Sequence, residues 1–359
     1  MQNFRFLGAL LMCIGAINMA NACTGITLKA TDNSVVTART MDWSGAATNN
    51  MYVIVPRGHT QQSLLPNGKM DGLEFTALYG YAGIAVEQPE FIIDGTNEAG
   101  LSAALFYFPN YGGYEPYNDT SKDISLADFQ VVSWILSRFA TIDQVKQAIN
   151  DVRIINVDPS ASTVHWRITD VTGRQVVLEI VNGVPSFYEN EIGVLTNSPG
   201  FQWQMTNLNN YVNLHPGGAG PTEFGPIELR AFGSGAGFRG LPGDFTPPSR
   251  FVRAAFLKTY ALPQKNAFDA VTQSFHILNS FDVPSGIQFP VGKSPTDMPA
   301  ATQWTVATDL TNRTIYYHTM YNRAIRKLEM DKIDFANVEF QYHPLDESKS
   351  QPTVSVKID

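Results

Sequence analysis

One junction limits what this chain can become. Ala20-Asn21-Ala22 stands directly in front of Cys23, and Cys13 is the only other cysteine. Met1–Ala22 reads as an export leader. It has one charged residue, Arg5, then an apolar run from Phe6 to Ile17, then a small-residue A-x-A site. Cleavage after Ala22 would remove Cys13 and leave one thiol, so the mature fold would hold no intrachain disulfide. It would also make Cys23 residue one. An N-terminal cysteine carries a thiol nucleophile and, on the same residue, a free α-amino base with an ordinary pKa of about 7.7–8.0.

The expected mature chain has 359 − 22 = 337 residues, and losing Arg5 takes its net charge from −8 to −9. No Pro/Ser linker, low-complexity tract or fixed-period repeat divides it, so residues 23–359 are expected to form a single catalytic domain. The acidic balance offers no basic stripe for nucleic acid and none for an anionic membrane surface. The leader's apolar run is shorter than the roughly 20 residues that span a bilayer, and no later segment qualifies. The expectation is a soluble protein, periplasmic or secreted. A lipidated Cys23 on an anchored binding module is the rival reading. Such sites usually carry an aliphatic residue three before the cysteine and a small residue next, where this chain has Ala20 and Asn21.

Residues 25–30 and 34–41 alternate, are rich in β-branched side chains, and flank the turn pair Asp32-Asn33, so they predict a hairpin. Antiparallel pairing would return Arg39 and Asp42 beside Cys23. Further strands are expected at 50–57, 75–86, 163–169, 175–182, 186–188 and 192–196, and 90–108 reads as a strand, a Gly-punctuated turn and the start of a second strand. Helices are expected from Ser125 to about 139, from Thr141 to about 150, and over 201–214, 249–262 and 266–278. Strands at 303–309 and 314–320 follow. The tract 215–248, rich in Gly and Pro, is a long loop of the kind that is usually functional or disordered. Strands and helices come in blocks rather than in βα alternation, which points to an α+β fold of antiparallel sheets covered by segregated helices.

Cys23, Ala38-Arg39-Thr40-Met41-Asp42-Trp43 and Asp94-Gly95-Thr96-Asn97-Glu98-Ala99-Gly100-Leu101 stand in order along the chain. His165-Trp166 with Asp170 and Glu179, Leu195-Thr196-Asn197-Ser198-Pro199, Gly240-Leu241-Pro242-Gly243-Asp244, Ser249-Arg250-Phe251 and Thr302-Gln303-Trp304 follow them. In these residues the chain resembles the choloylglycine hydrolase family, which comprises bile salt hydrolases and penicillin V acylases. The resemblance runs over nearly the whole mature chain. It implies a four-layer αββα N-terminal-nucleophile fold that needs no metal or cofactor, a small-molecule amide substrate, and tetramers in many members. It also implies roles. Cys23 matches the nucleophile and Arg39 the cation beside it. Asp42 matches the carboxylate that holds the α-amino group, Asn197 an oxyanion-hole side chain, and Arg250 the second arginine. Tyr107 falls where bile salt hydrolases usually carry Asn, a departure that leans toward penicillin V acylases. The expected reaction is hydrolysis of an amide between an apolar acyl group and a small polar amine. Penicillin V leads as substrate, with conjugated bile salts and N-acyl homoserine lactones as alternatives.

Taken singly, most of these residues have plainer readings. An arginine in a strand is usually a surface ion pair worth about 0–1 kcal/mol. Asn197-Ser198-Pro199 is a turn signal. His165, on an alternating strand, reads as a satisfied core histidine rather than a base. The aromatic loop Tyr111–Tyr117 reads equally as a flap over the pocket or as a packed surface loop.

Overall fold

The computed structural model describes residues 22–44, 48–157, 162–289, 291, 292, 294 and 300–358. Of the expected leader, Met1–Ala22, residues 1–21 lie outside them.

Two large antiparallel sheets face one another. The first runs Val194–Leu195, Gly25–Lys29, Val35–Ser44, Ala300–Asp309, Thr314–Thr319, Arg326–Glu329. The second runs Val184–Glu189, Gln175–Val181, Val164–Thr169, Ser102–Tyr107, Ile92–Asn97, Tyr81–Val86, Asn50–Val55, Gln341–Pro344. Helices Pro247–Tyr260 and Ala267–Asn279 cover the first sheet, and helix Val131–Arg138 covers the second. The result is the four-layer αββα sandwich, with one continuous apolar core through both sheets. The sheets pack tightly at Gly25, where a Cβ would stand 2.7 Å from the Phe106 ring.

The first hairpin forms as its alternation predicts. Asn33 takes the left-handed conformation, φ 72°, which Asn tolerates better than most residues. Asp32 accepts the Ser34 N–H at 2.9 Å. Thr141 caps helix Ile142–Ala148 through a reciprocal capping box with Gln144, and Asn266 caps Ala267–Asn279.

Several elements differ from expectation for tertiary reasons. Ser125 caps no helix. Ser125–Ala127 is a buried strand parallel to Arg153–Ile155, and the helix begins only at Val131. The single strand expected over 75–86 is two. Met70–Thr76 pairs with Thr60–Leu64, a hairpin the sequence reading missed, while Tyr81–Val86 joins the second sheet. Between them, Leu78 and Tyr79 donate to the Ser137 carbonyl, and Phe335 packs so tightly on Gly80 that a Cβ would stand 2.2 Å from it. The helix expected over 201–214 is α-helical only to Asn207 and continues as a 3-10 turn to Tyr211. The 215–248 tract carries a small exposed hairpin, Thr222–Phe224 with Ile227–Leu229. The Tyr111–Tyr117 loop is anchored at its middle, while Tyr111, Glu115 and Pro116 are exposed. Gly113 exchanges backbone hydrogen bonds with Ile180 and Gly183, and the Tyr114 hydroxyl meets both the N–H and the carbonyl of Val164.

Candidate active site

The register of the first sheet gathers the site. Gly25 pairs with Arg39 on one side and Leu195 on the other. Two residues before Gly25, Cys23 therefore lies level with Met41 and Asn197. Ala22 continues the pairing by exchanging two backbone hydrogen bonds with Asp42, at 2.9 and 3.0 Å. Residues 174 positions apart in sequence thus converge on one thiol, and Cys23 is buried, 3% exposed.

Arg39 Nη2 lies 2.8 Å from Cys23 Sγ. The rest of its fork is held between the sheets: Nε donates to Thr40 O at 3.2 Å, and Nη1 to Ile93 O at 3.3 Å and to Leu105 O. Its guanidinium lies 4.3 Å from the Phe106 ring centroid. The cation is therefore fixed, not a mobile surface pair. Burial pushes the Cys23 thiol up, and Arg39 is the strongest influence in the opposite direction.

Asn197 bridges the site. Its Oδ1 accepts the Cys23 N–H at 2.9 Å and Arg250 Nη2 at 2.7 Å, while its Nδ2 donates to Tyr107 O at 2.8 Å. Arg250, in the first turns of helix Pro247–Tyr260, also donates to Cys23 O and, at 2.9 Å, to Thr24 Oγ1. Burial lowers Arg250 to about 10, a range in which it stays cationic near neutrality. Tyr107 ends its strand with its ring edge-on to Trp43 at 6.3 Å. An extended residue presents its N–H and C=O on one edge, so the Tyr107 N–H points to the same side as the carbonyl that Asn197 holds.

Asp42 is buried and accepts hydrogen bonds from Thr302 Oγ1 at 2.6 Å and Thr40 Oγ1 at 3.1 Å. Burial raises it to about 6, against the pull of Arg250 and the two hydroxyls. In this chain, which still carries Ala22, the one hydrogen on Cys23 N goes to Asn197 rather than to Asp42. All six residues singled out from sequence, Cys23, Arg39, Asp42, Tyr107, Asn197 and Arg250, converge here. Unforeseen was a second buried pair behind them: Arg167 Nη2 lies 3.5 Å from Asp94 Oδ2, and Arg167 Nη1 donates to Ala38 O and Ile26 O across the sheet gap. Asp94 stood in a quoted motif, but Arg167 looked like any strand residue. His165 is fully buried with both ring nitrogens partnered, as a core histidine should be.

A buried cysteine just ahead of strand Gly25–Lys29 of an αββα sandwich, with a fixed guanidinium at its sulfur, defines an amide hydrolase of the N-terminal-nucleophile class. Residues 23–344 match the family of linear amide C–N hydrolases, the choloylglycine hydrolase family, so the match opens at Cys23 itself. The chain belongs to that family. It is 33% identical to a bile salt hydrolase/transferase of Clostridium perfringens, over 86% of this chain and 93% of the relative. It is 31% identical to one of Lactiplantibacillus plantarum, over 90% and 97%. The solved conjugated bile acid hydrolase of C. perfringens superposes with a TM-score of 0.81 at 30% identity, over 93% of this chain and all of the other. A penicillin V acylase from Agrobacterium tumefaciens superposes with a TM-score of 0.71 at 22% identity, over 89% and 90%, and shares the fold.

Proposed function

We propose that the processed chain hydrolyses a carboxamide joining a bulky apolar acyl group to a small polar amine, through a thioester on Cys23. The observation that carries this is the 2.8 Å approach of Arg39 Nη2 to a buried sulfur whose backbone is gripped by Asn197 and Arg250. The Cys23 thiolate attacks the substrate carbonyl carbon, and the C=O π pair moves onto oxygen. Asn197 Nδ2 and the Tyr107 N–H are the donors for that oxyanion, each of a kind whose loss costs about 10²–10³ in rate. The C–N bond then breaks, and the departing amine takes a proton from the α-ammonium group of Cys23. Water attacks the thioester, gives its proton to the α-amine, and releases the acid and the thiolate.

Conjugated bile salts are the first substrates to test. The relatives that match most of the chain at 31–33% identity are bile salt hydrolase/transferases, whereas the penicillin V acylase likeness, at 22%, speaks for the fold alone. The C. perfringens enzyme was solved with one cysteine changed to alanine and with an arginine 16 positions later changed to leucine, the spacing of Cys23 and Arg39 here (39 − 23 = 16). Penicillin V remains a second reading because Tyr107, half-buried against Trp43, stands where bile salt hydrolases usually carry Asn. N-acyl homoserine lactones come third. Export with removal of Met1–Ala22 is part of the proposal, since it supplies the free α-amino base.

The test is amine release from glycine- and taurine-conjugated bile salts and from penicillin V by the processed protein, alongside Cys23→Ala. Turnover by wild type with loss of at least 10³-fold in the variant is expected. Unchanged turnover by Cys23→Ala would sink the mechanism. A lipidated Cys23 by intact mass would remove the base and favour the anchored binding module.

A further inference from the structure

His165 and Glu179 take no part in the reaction above, yet both point at the turn that carries Asn197. His165 lies on strand Val164–Thr169 and Glu179 on its neighbour Gln175–Val181. The ring's Nε2 is 3.1 Å from Thr196 O, the carbonyl just before Asn197, and its Nδ1 is 3.1 Å from Glu179 Oε1. That same carboxylate oxygen accepts the Phe201 N–H at 2.8 Å, just beyond the turn. The two side chains therefore grip residues 196 and 201 from both ends of the segment. Gly200 leaves them room, since a Cβ there would stand 3.1 Å from Glu179 Oε2. The ring itself is clamped, stacked on Phe108 at 4.4 Å and 8°.

Proton counting fixes the arrangement. A carbonyl only accepts, so His165 Nε2 carries a hydrogen. One further proton then lies between Nδ1 and Glu179 Oε1, on either atom. In both forms the pair is neutral overall, adds no net charge to the thiol's surroundings, and keeps both grips. It is a holder rather than a base.

We propose that His165 and Glu179 are positioning residues that set the height of the 196–201 turn, and through it the Asn197 amide at the nucleophile. The inference rests on the hydrolase reading above. Misplacing a reacting group by about 1 Å can cost roughly 10² in rate. His165→Ala and Glu179→Ala are therefore expected to lower kcat about 10–100-fold with KM moving less than threefold. Glu179→Gln can serve only one of the two partners that share Oε1, since an amide oxygen there gives Nδ1 no donor and an amide nitrogen gives the Phe201 N–H no acceptor, so it should fall between wild type and Glu179→Ala. Alkylation of Cys23 by iodoacetamide should change less than twofold in all three, because the pair acts on Asn197 and not on the sulfur.

A double-mutant cycle decides between this role and general support of the core. In an Asn197→Ala background, His165→Ala should cost less than a further threefold. A full additional 10–100-fold loss would overturn the proposal. Hydrogen exchange gives a readout that needs no substrate: in His165→Ala the peptide 196–204 should lose protection while the 25–44 hairpin keeps it. If wild type hydrolyses none of the amides offered, the functional reading fails, and the exchange pattern still judges the grip. Unchanged protection of 196–204 would refute it.

Discussion

Replacing Arg39 with leucine tests the electrostatic core of the site. The Arg39 charge is spread over its guanidinium, whose Nη2 is 2.8 Å from Cys23 Sγ, so the centres of charge lie about 4 Å apart. At an effective dielectric of about 20, two unit charges at that distance attract by about 4 kcal/mol, roughly 10³ in the ratio of thiolate to thiol. Arg250 remains nearby and the surroundings relax, so the expected loss is nearer 10²-fold. The assay is the rate of Cys23 alkylation by iodoacetamide from pH 6 to 9. Without the cation, ionisation is harder, the inflection moves to higher pH, and the rate at pH 7 falls about 100-fold. Leucine also strips a donor from the Ile93 and Leu105 carbonyls, at about 1–3 kcal/mol each, so folding is verified by melting. Arg39→Lys, which keeps the charge and loses the fork, should recover much of the alkylation. A folded Arg39→Leu protein that alkylates at the wild-type rate across this range would refute the reasoning.

Two further predictions concern stability. In the unprocessed chain burial raises Asp42 from 3.8 to about 6, so the fold disfavours its ionised form. Its contribution to stability is complete below pH 3.8, declines as pH rises through about 6, and is flat above. The loss is (6 − 3.8) × 1.36, or about 3 kcal/mol. Asp42→Asn should therefore match wild type near pH 4 and exceed it by up to that amount near pH 8 in denaturant melts; parallel pH profiles would show that Asp42 is not strained. Gly25→Ala places a methyl 2.7 Å from a Phe106 ring that is fully buried and wedged against Arg39 and His165. Overpacking of this kind costs about 1–3 kcal/mol, so the melting temperature should drop by several degrees. An unchanged melt would mean that the sheets separate freely at this point.

What could be read from the sequence followed its range of interaction. The 25–44 hairpin was legible because alternation and a turn pair are local, and its register brought Arg39 beside Cys23 without further information. The Thr141 cap was legible for the same reason, and so was the helix beginning near residue 266. Ser125 misled because a serine before an apolar run is a cap only if no partner strand claims it, and Arg153–Ile155 does. The break at Leu78–Gly80 was hidden because Phe335, some 250 residues on (335 − 80 = 255), makes it. Within the site, Asn197 and Arg250 were named through motifs, yet the hydrogen bonds that join them to Cys23 depend on a register that spans 174 residues. Arg167 gave no signal, since only the fold shows that a strand arginine faces the gap between two sheets.

The buried charges around the thiol form a balance of their own, and the balance bears on the nucleophile. Arg39, Arg167 and Arg250 contribute three buried cations around the thiol, against the two carboxylates of Asp42 and Asp94, leaving 3 − 2 = +1. A Cys23 thiolate brings the set to neutrality, whereas a thiol leaves one buried charge without a partner, a costly state in low dielectric. Burial still opposes the thiolate, and Asp42, an anion close by, opposes it too. Asp42→Asn should therefore shift the alkylation inflection to lower pH, the reverse of Arg39→Leu, and speed alkylation near pH 7. The same variant should lose most turnover if Asp42 holds the α-amino group of the processed chain. A more reactive thiol in a less active enzyme would separate making the nucleophile from handling its proton. Slower alkylation in Asp42→Asn would mean that the carboxylate organises the sulfur's surroundings, and that the +1 balance does not govern it.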